Sequence, residues 1–568
     1  MKNMNSKKFI KYYFNLYKNK FILVILFIFL SVLSYVLSPI IIGKLIDNFG
    51  SNNIYIYFIV LLILILLYFI FNYLSNIILK RTMLRITNEI RNDFIKKINS
   101  LKISNLDKYK SGDITSRIVN DIDFINDGGV EFINQLITSI LTIIIIFIIM
   151  FSLNITLALV ILLFTPIACF IPYYVTKKTK NLYKKQQVSE GKMGSFVKEK
   201  IYNYSYIKVN FIEDKIISKF FKNSLEYSSN NRRAVFYSSI ANPTSRFLNG
   251  IVLVIVCLIG GKYAINGIIS VGTFQVFISY ATQFIKPFNE LSNVSGELAN
   301  CLASIDRVLD IFNLENEDID GIHLERTSGK IDFCNVDFSY SKNSKLIEDL
   351  SCCFESKKKI AIVGSTGSGK TTLINLLLRF YDLDNGSIKV DNLDIKDLSL
   401  YSYRERIGVV LQENYLFSGS ILDNIKYGCS DATMDEIIKA CKAAKCHDFI
   451  EILPDGYNTL LDNISLSSGQ KQLICIARVI LNNPSILILD EATSDIDTLT
   501  EVKVQLALEN LMKDRSSIVI AHRLSTIKKA DKIIVMDKGN IVEVGKHDEL
   551  LSKKGYYYSI YNSQFLDI

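Results

Sequence analysis

The chain has 568 residues, more than one hydrophobic core usually organises, so at least two domains are expected. Apolar residues make up 49% of it and concentrate before about residue 300, in uncharged runs that a water-exposed surface does not tolerate, which excludes a wholly water-soluble protein. The net charge of +9 is not a nucleic-acid footprint, because the lysines and arginines stand beside the ends of apolar runs; nor do the ten cysteines show metal-ligand spacing, so packed, reduced thiols are expected.

In chain order, residues 21–43 and 54–79 carry no charge, and each exceeds the ~20 residues that cross ~30 Å of hydrocarbon as a helix. Residues 132–176 are also uncharged, with Ser152-Leu153-Asn154 as the one turn-like break, which predicts two spans, 132–152 and 155–176. A fifth span over about 240–261 is interrupted at its start by Asn242-Pro243-Thr244-Ser245-Arg246, and a sixth, 263–285, is closed by Lys286-Pro287. The first run is followed directly by further spans, so it reads as a retained span and not as a cleaved signal. No peptidase-like stretch precedes it, so leader-peptide processing is not expected.

Lys2, Lys7, Lys8, Lys11, Lys18 and Lys20 precede the first span with no acid among them, whereas residues 46–54 hold no base. The positive-inside rule then puts the N-terminus and the long connections at about 80–131 and 177–235 on the cytoplasmic side. Each connection can form two helical arms of ~25 residues reaching ~37 Å from the membrane. The expected organisation is an all-α six-span transmembrane domain over 1–310, a linker over 311–328, and an α/β P-loop NTPase domain over 329–568. In that last part, short β-like runs at 330–338, 359–363, 408–411, 485–489, 517–520 and 532–536 alternate with helical ones, the pattern of a largely parallel sheet.

Gly364, Ser365, Thr366, Gly367, Ser368, Gly369, Lys370 and Thr371 follow the apolar run Ile360-Ala361-Ile362-Val363, and Thr372 continues into a helical stretch. This is the strand, glycine loop and helix of a P-loop. Its backbone N–H groups close around the phosphates of ATP, Lys370 reaches the β- and γ-phosphates, and the Thr371 hydroxyl ligates Mg²⁺. A second apolar run, Ile486-Leu487-Ile488-Leu489, ends in Asp490-Glu491; there Asp490 can hold the Mg²⁺ and Glu491 can orient or deprotonate the attacking water.

Leu466-Ser467-Ser468-Gly469-Gln470, followed by Lys471-Gln472, resembles the ABC signature, usually Leu-Ser-Gly-Gly-Gln. With it, the chain resembles a half-transporter of the ABC exporter family, multidrug and lipid exporter type, over essentially its whole length. The resemblance implies that Tyr340 stacks on adenine, and that Gln412 is the Q-loop residue sensing Mg²⁺. It implies further that Ser494-Asp495-Ile496-Asp497 is the D-loop, and that His522 contacts the γ-phosphate. Taken alone, His522 would read as a packed strand-end histidine. The stretch 416–425 and the segment Gly112-Asp113-Ile114-Thr115-Ser116-Arg117 resemble exporter sequences after the Q-loop and in the first cytoplasmic loop, and short coupling helices in the two long connections are implied.

In this family ATP is sandwiched between one chain's P-loop and the other's signature, here Ser467, Gly469 and Gln470, so a second half-transporter in the lipid bilayer is the expected partner and a bacterial plasma membrane the expected location. Three departures stand on the signature side: Ser468 replaces a glycine, adding a Cβ and restricting φ; residues 460–465 replace a Gly-Glu-x-Gly run; and Leu473 stands where arginine is common. Because they cluster on one element, the expectation is a heterodimer, with a homodimeric exporter as the alternative. An ATP-gated membrane protein or an importer on the same fold are the rivals. The transported substrate is not legible.

Overall fold

The computed structural model describes residues 4–51, 54–341, 345–411, 414–490, 498–521 and 524–565. It divides into two compact units, Met1–Asn99 with Tyr109–Leu314, and Ser100–Lys108 with Glu315–Ile568.

The first unit is helical. After a short helix, Ser6–Leu16, come six long ones: α1 (Lys18–Asp47), α2 (Ile54–Asn99), α3 (Ile122–Leu153), α4 (Ile155–Tyr202), α5 (Glu213–Ile265) and α6 (Val271–Phe312). Among the described residues, three helical stretches have the length and apolarity of a membrane span, Lys18–Asp47, Ile54–Asn99 and Ser111–Leu153, with a shorter apolar stretch at Asn249–Ile265. The side chains of 164–178 fall outside the described set, and with them much of the expected span 155–176. The turn at 152–154 forms as expected: α3 stops at Leu153, and the Asn154 side chain accepts from Leu157 N at 3.1 Å to start α4.

Two expected interruptions do not occur. Pro243 lies inside α5 and Pro287 inside α6, and both helices run on. A proline removes one N–H donor, a local loss that the rest of a long ladder and its packing absorb. The last helix is held tightly to the first. A Cβ on Gly272 would lie 2.0 Å from Gly43 O, the buried Tyr280 hydroxyl donates to Val36 O at 2.7 Å, and Asp47 accepts from Gly272 N at 2.7 Å at the start of α6. Small residues at such a crossing let two backbones meet.

The second unit holds two sheets. A four-stranded antiparallel sheet has the order β2-β1-β4-β5, from β1 (Ile331–Phe338), β2 (Ile347–Phe354), β4 (Asn385–Val390) and β5 (Leu393–Asp394). A six-stranded sheet has the order β10-β9-β3-β8-β7-β6, from β3 (Lys359–Gly364), β6 (Ile407–Val410), β7 (Ile486–Asp490), β8 (Ser516–Ile520), β9 (Lys532–Asp537) and β10 (Asn540–Gly545). It is parallel except for β10. All six runs read from sequence are strands. The additional ones lack that signal: β2 interleaves Glu348, Asp349 and Ser351 with its buried positions, and β10 is a half-exposed edge. Helices α7 (Lys370–Leu377), α8 (Ser468–Asn482) and α9 (Thr498–Met512) complete the frame used below.

Candidate nucleotide site

Strand β3 is buried from Ile360 onward and delivers residues 364–369 to the start of α7. The apolar run makes the strand, and close packing makes the loop. A Cβ on Gly364 would lie 2.3 Å from Met536 O and 2.6 Å from Ser368 Oγ, so the chain leaves the sheet there only without a side chain. Gly369, with φ of 99°, makes the left-handed step that turns the loop into α7.

Lys370 is 8% exposed, and its ammonium donates to Gly364 O and Ser365 O, each at 2.8 Å. Burial lowers its pKa from the ordinary value, and the Asp490 carboxylate acts against that. The sheet register explains the meeting. Ile362 pairs with Ile520, and Ile520 with Asp490, so the acid stands level with Ile362, two residues before the end of β3, with β8 between them. Thr366, Gly367 and Thr371 are exposed, while Ser368 is buried with its hydroxyl unpartnered. A glycine loop at a helix start, a lysine ammonium, a threonine hydroxyl and a carboxylate can hold a nucleotide polyphosphate and a divalent cation.

Tyr340 stands just beyond β1, about half exposed. Its ring meets those of Phe338 and Tyr381 edge-on, and its hydroxyl donates to Thr372 Oγ1 at 3.2 Å. Thr372, a buried residue of α7, thereby joins the aromatic corner to the P-loop helix. Gln412, Glu491, His522 and the stretch 494–497 lie outside the described residues.

The signature residues stand on a separate element, at the start of α8. Ser467 is the N-cap: its hydroxyl accepts from Gln470 N at 3.2 Å, and its own N–H donates to Gln470 Oε1 at 3.0 Å. Ser467 and Ser468 are exposed and Gly469 is buried. Two of the departures on the signature side have a definite place in the fold. Ser468 is the first residue of α8 with ordinary right-handed helical backbone, so the substitution for glycine does not restrict a special φ. Leu473 is 1% exposed in the core of this subdomain, so the residue standing where arginine is common is a packing residue.

Two supports stand beside the site, the second of them a short helix in the first long connection, where one was implied. Asn424 is buried; its amide nitrogen donates to Phe417 O (2.9 Å) and Ser420 O (3.0 Å), and its amide oxygen accepts from Phe417 N (2.8 Å). Arg478 of α8 reaches the same residue, Nε to Asn424 O at 2.8 Å and Nη2 to Oδ1 at 3.2 Å, and its guanidinium covers the stacked rings of Phe417 and Tyr427. The turn at 417–420 is thereby fixed to the signature helix. The other support is the segment Ser100–Lys108. Its short helix Ile103–Leu106 is held by Ser104 N to Phe380 O (3.3 Å), Lys102 Nζ to Asp382 (2.6 Å) and Tyr381 to Asp107, just after α7.

Residues 21–288 match the ABC transporter transmembrane region, and residues 347–494 match the ABC transporter family's ATP-binding part. The chain is 36% identical to an ABC transporter ATP-binding protein, YfiC, of Bacillus subtilis over 96% of this chain and 92% of that one. It is 38% identical to a fatty acid ABC transporter ATP-binding/permease protein of Mycobacterium tuberculosis, over 86% of this chain and 77% of the relative. An ATP-dependent lipid A-core flippase of Syntrophus aciditrophicus is 34% identical, over 85% of this chain and 81% of the flippase. A P-loop unit carrying its own signature helix, fused to a helical unit with membrane-spanning stretches, thus has full-length relatives of one kind: the chain belongs to the ABC transporter family, as an integral membrane exporter-type protein that couples ATP hydrolysis to transport.

Proposed function

We propose that the chain is an exporter half-transporter that works as a dimer, each ATP with its Mg²⁺ lying between the P-loop of one chain and residues 467–470 of the other. The observation that carries this reading is that both halves of such a site are open to the surface. Thr366, Gly367 and Thr371 are exposed on one element, and Ser467 and Ser468 on another, the latter pre-shaped by a capping box. A second chain has further work to do: Ile201, Tyr202, Tyr206, Val209 and Phe211, at the tip of the second long connection, are each 67% or more exposed. An apolar patch of that kind is a protein contact surface, here for a coupling helix.

In the cycle, Lys370 leaves Gly364 O and Ser365 O for the phosphates, and Thr371, Asp490 and Gln412 would hold a Mg²⁺, which would neutralise phosphate charge. Glu491 orients or deprotonates water, His522 meets the γ-phosphate, and Tyr340 takes the adenine. Closure and release at the dimer interface drive alternating access across six spans, with the N-terminus and ATPase unit on the cytoplasmic side of a bacterial plasma membrane. A carboxylate acting on water predicts that Glu491→Gln keeps ATP binding and loses nearly all hydrolysis; near-normal turnover refutes that role.

Two copies of this chain form the competent dimer in this reading, supported by the helical backbone at Ser468 and the buried Leu473. A heterodimer is the second reading, favoured by the altered run at 460–465. Purified chain alone in nanodiscs, assayed for ATPase activity and its stimulation by cargo, separates them: vigorous, cargo-stimulated turnover sinks the heterodimer, and turnover that appears only with a co-expressed second half-transporter sinks the homodimer. The relatives' names, a fatty acid transporter and a lipid A-core flippase, make lipidic compounds the first cargo to test.

A further inference from the structure

The turn between β9 and β10 is two residues long, Lys538 at φ 45° and Gly539 at φ 83°, the doubly left-handed form of a tight hairpin. It stands between the two ends of the nucleotide site. Toward the glycine loop, Gly539 N–H donates to Ser368 O at 3.0 Å, and the position a Cβ would take on Gly369 lies 3.5 Å from Gly539 Cα. Toward the β1–β2 hairpin, a Cβ on Gly539 would overlap Leu346 O and lie 2.7 Å from its carbonyl carbon. Leu346 in turn donates its N–H to Phe338 O at 3.1 Å, and the Phe338 ring meets that of Tyr340 edge-on, with centroids 4.9 Å apart. Backbone thus touches backbone on both sides of residue 539, so no rotation of a side chain makes room there.

We infer that Gly539 is a positioning residue for the nucleotide: a spacer without a side chain, it sets the distance between the phosphate loop and the tyrosine on the adenine side. This inference rests on the reading of residues 364–371 as the ATP site and of Tyr340 as its adenine contact. A nucleotide carries base and polyphosphate on one ribose, so both ends bind at full strength only when loop and ring already stand at the matching separation. The Tyr340 hydroxyl reaches Thr372 of α7 at 3.2 Å, but that one side-chain bond orients the ring without fixing the strand that carries it. The turn fixes the strand through main chain. Strand β9 is paired with β3 as far as Met536 and Gly364, so the turn stays with the phosphate loop. An added methyl group at residue 539 therefore displaces Leu346, and with it the hairpin that bears Tyr340.

The test uses the full-length protein in nanodiscs and titration calorimetry with two probes, a non-hydrolysable ATP analogue and inorganic tripolyphosphate, which has the phosphates and no base. Gly539→Ala should weaken the analogue about ten- to a hundredfold, the worth of one base–aromatic stack, and leave tripolyphosphate affinity within about twofold of wild type. KM for ATP should rise in proportion, with a smaller change in kcat. In a Tyr340→Ala background the same substitution should cost the analogue almost nothing, because the contact it disturbs is already gone. Equal losses for both probes, no loss for either, or full additivity with Tyr340→Ala would overturn the inference. If Gly539→Ala does not fold, hydrogen exchange on the unaltered chain decides. The analogue should slow exchange at residues 364–371 and at 346–347, and tripolyphosphate only at 364–371; equal protection of 346–347 by both probes, or by neither, overturns the inference. Lys370→Ala is the control. If it binds both probes like wild type, the ATP-site reading falls and this inference with it; if it loses both, the outcomes above judge this inference alone.

Discussion

Replacing Asn424 by alanine tests how the signature helix is set. The side chain makes four hydrogen bonds in a residue 1% exposed. Two of its partners survive the change. Ser420 O still receives the backbone N–H of residue 424, and Arg478 Nε still donates to the residue 424 carbonyl. The Phe417 N–H and C=O lose the amide that served both. An unsatisfied buried polar group costs about 1–3 kcal/mol, and since Phe417 is 39% exposed the lower half of that range applies, about 3 kcal/mol for the pair. For a unit of this size that is a fall of about 6–12 °C in thermal midpoint.

The chain has no tryptophan, so a thiol-reactive dye is the suitable reporter, and Cys441 and Cys446, both fully buried in the same subdomain, supply its targets. ATPase activity should fall several-fold as well, because the turn that braces α8 loosens. A midpoint within about 1 °C of wild type would show that water replaces the amide and would refute this account of the brace.

Gly364→Ala should fold but lose nucleotide binding by at least tenfold, because its Cβ would meet Met536 O at 2.3 Å and must push the loop away; equilibrium binding of trinitrophenyl-ATP reads this. Gly272→Ala drives a methyl group into Gly43 O and Asp47, so α1 and α6 must part; a lowered melting midpoint and reduced transport-linked ATPase activity are expected, with wild-type nucleotide affinity. Asp391 supplies a pH test. Burial favours its neutral form, but hydrogen bonds from Ser328, Thr327 and the backbone N–H of Lys330 outweigh this and hold its pKa below the ordinary carboxylate value. A folded-state pKa below the unfolded one stabilises above about pH 4 and is lost as pH falls through the folded value. Asp391→Asn should therefore melt below wild type at pH 7, and the gap should narrow as circular-dichroism melts are taken down from pH 5; a gap that persists unchanged would remove the charge from the explanation.

Much of the molecule is legible in the sequence because its signals are local. An uncharged run of twenty or more residues states its own preference for hydrocarbon, and Ile360–Val363 or Ile486–Leu489 states its preference for a buried parallel strand whatever lies elsewhere in the chain. Glycines, a lysine and a threonine at fixed spacing likewise define the P-loop without reference to distant residues. The prolines misled for the complementary reason. Pro243 and Pro287 break helices in isolation, but α5 and α6 are long enough, and packed enough, to carry the loss.

By itself, then, the sequence determined two unlike domains, the six strands with strong apolar runs, and the chemistry available at residues 364–371 and 490. Tertiary structure alone decided what lies behind that chemistry. It makes Ser468 an ordinary helical residue and Leu473 a core residue, joins Asn424 to Arg478, docks Ser100–Lys108 beside residues 380–382, and brings Tyr556 to Asp537 at the end of β9. Each of these is a meeting of segments far apart in the chain, where packing and hydrogen-bond satisfaction select the partner, and local periodicity carries no record of which partner that is.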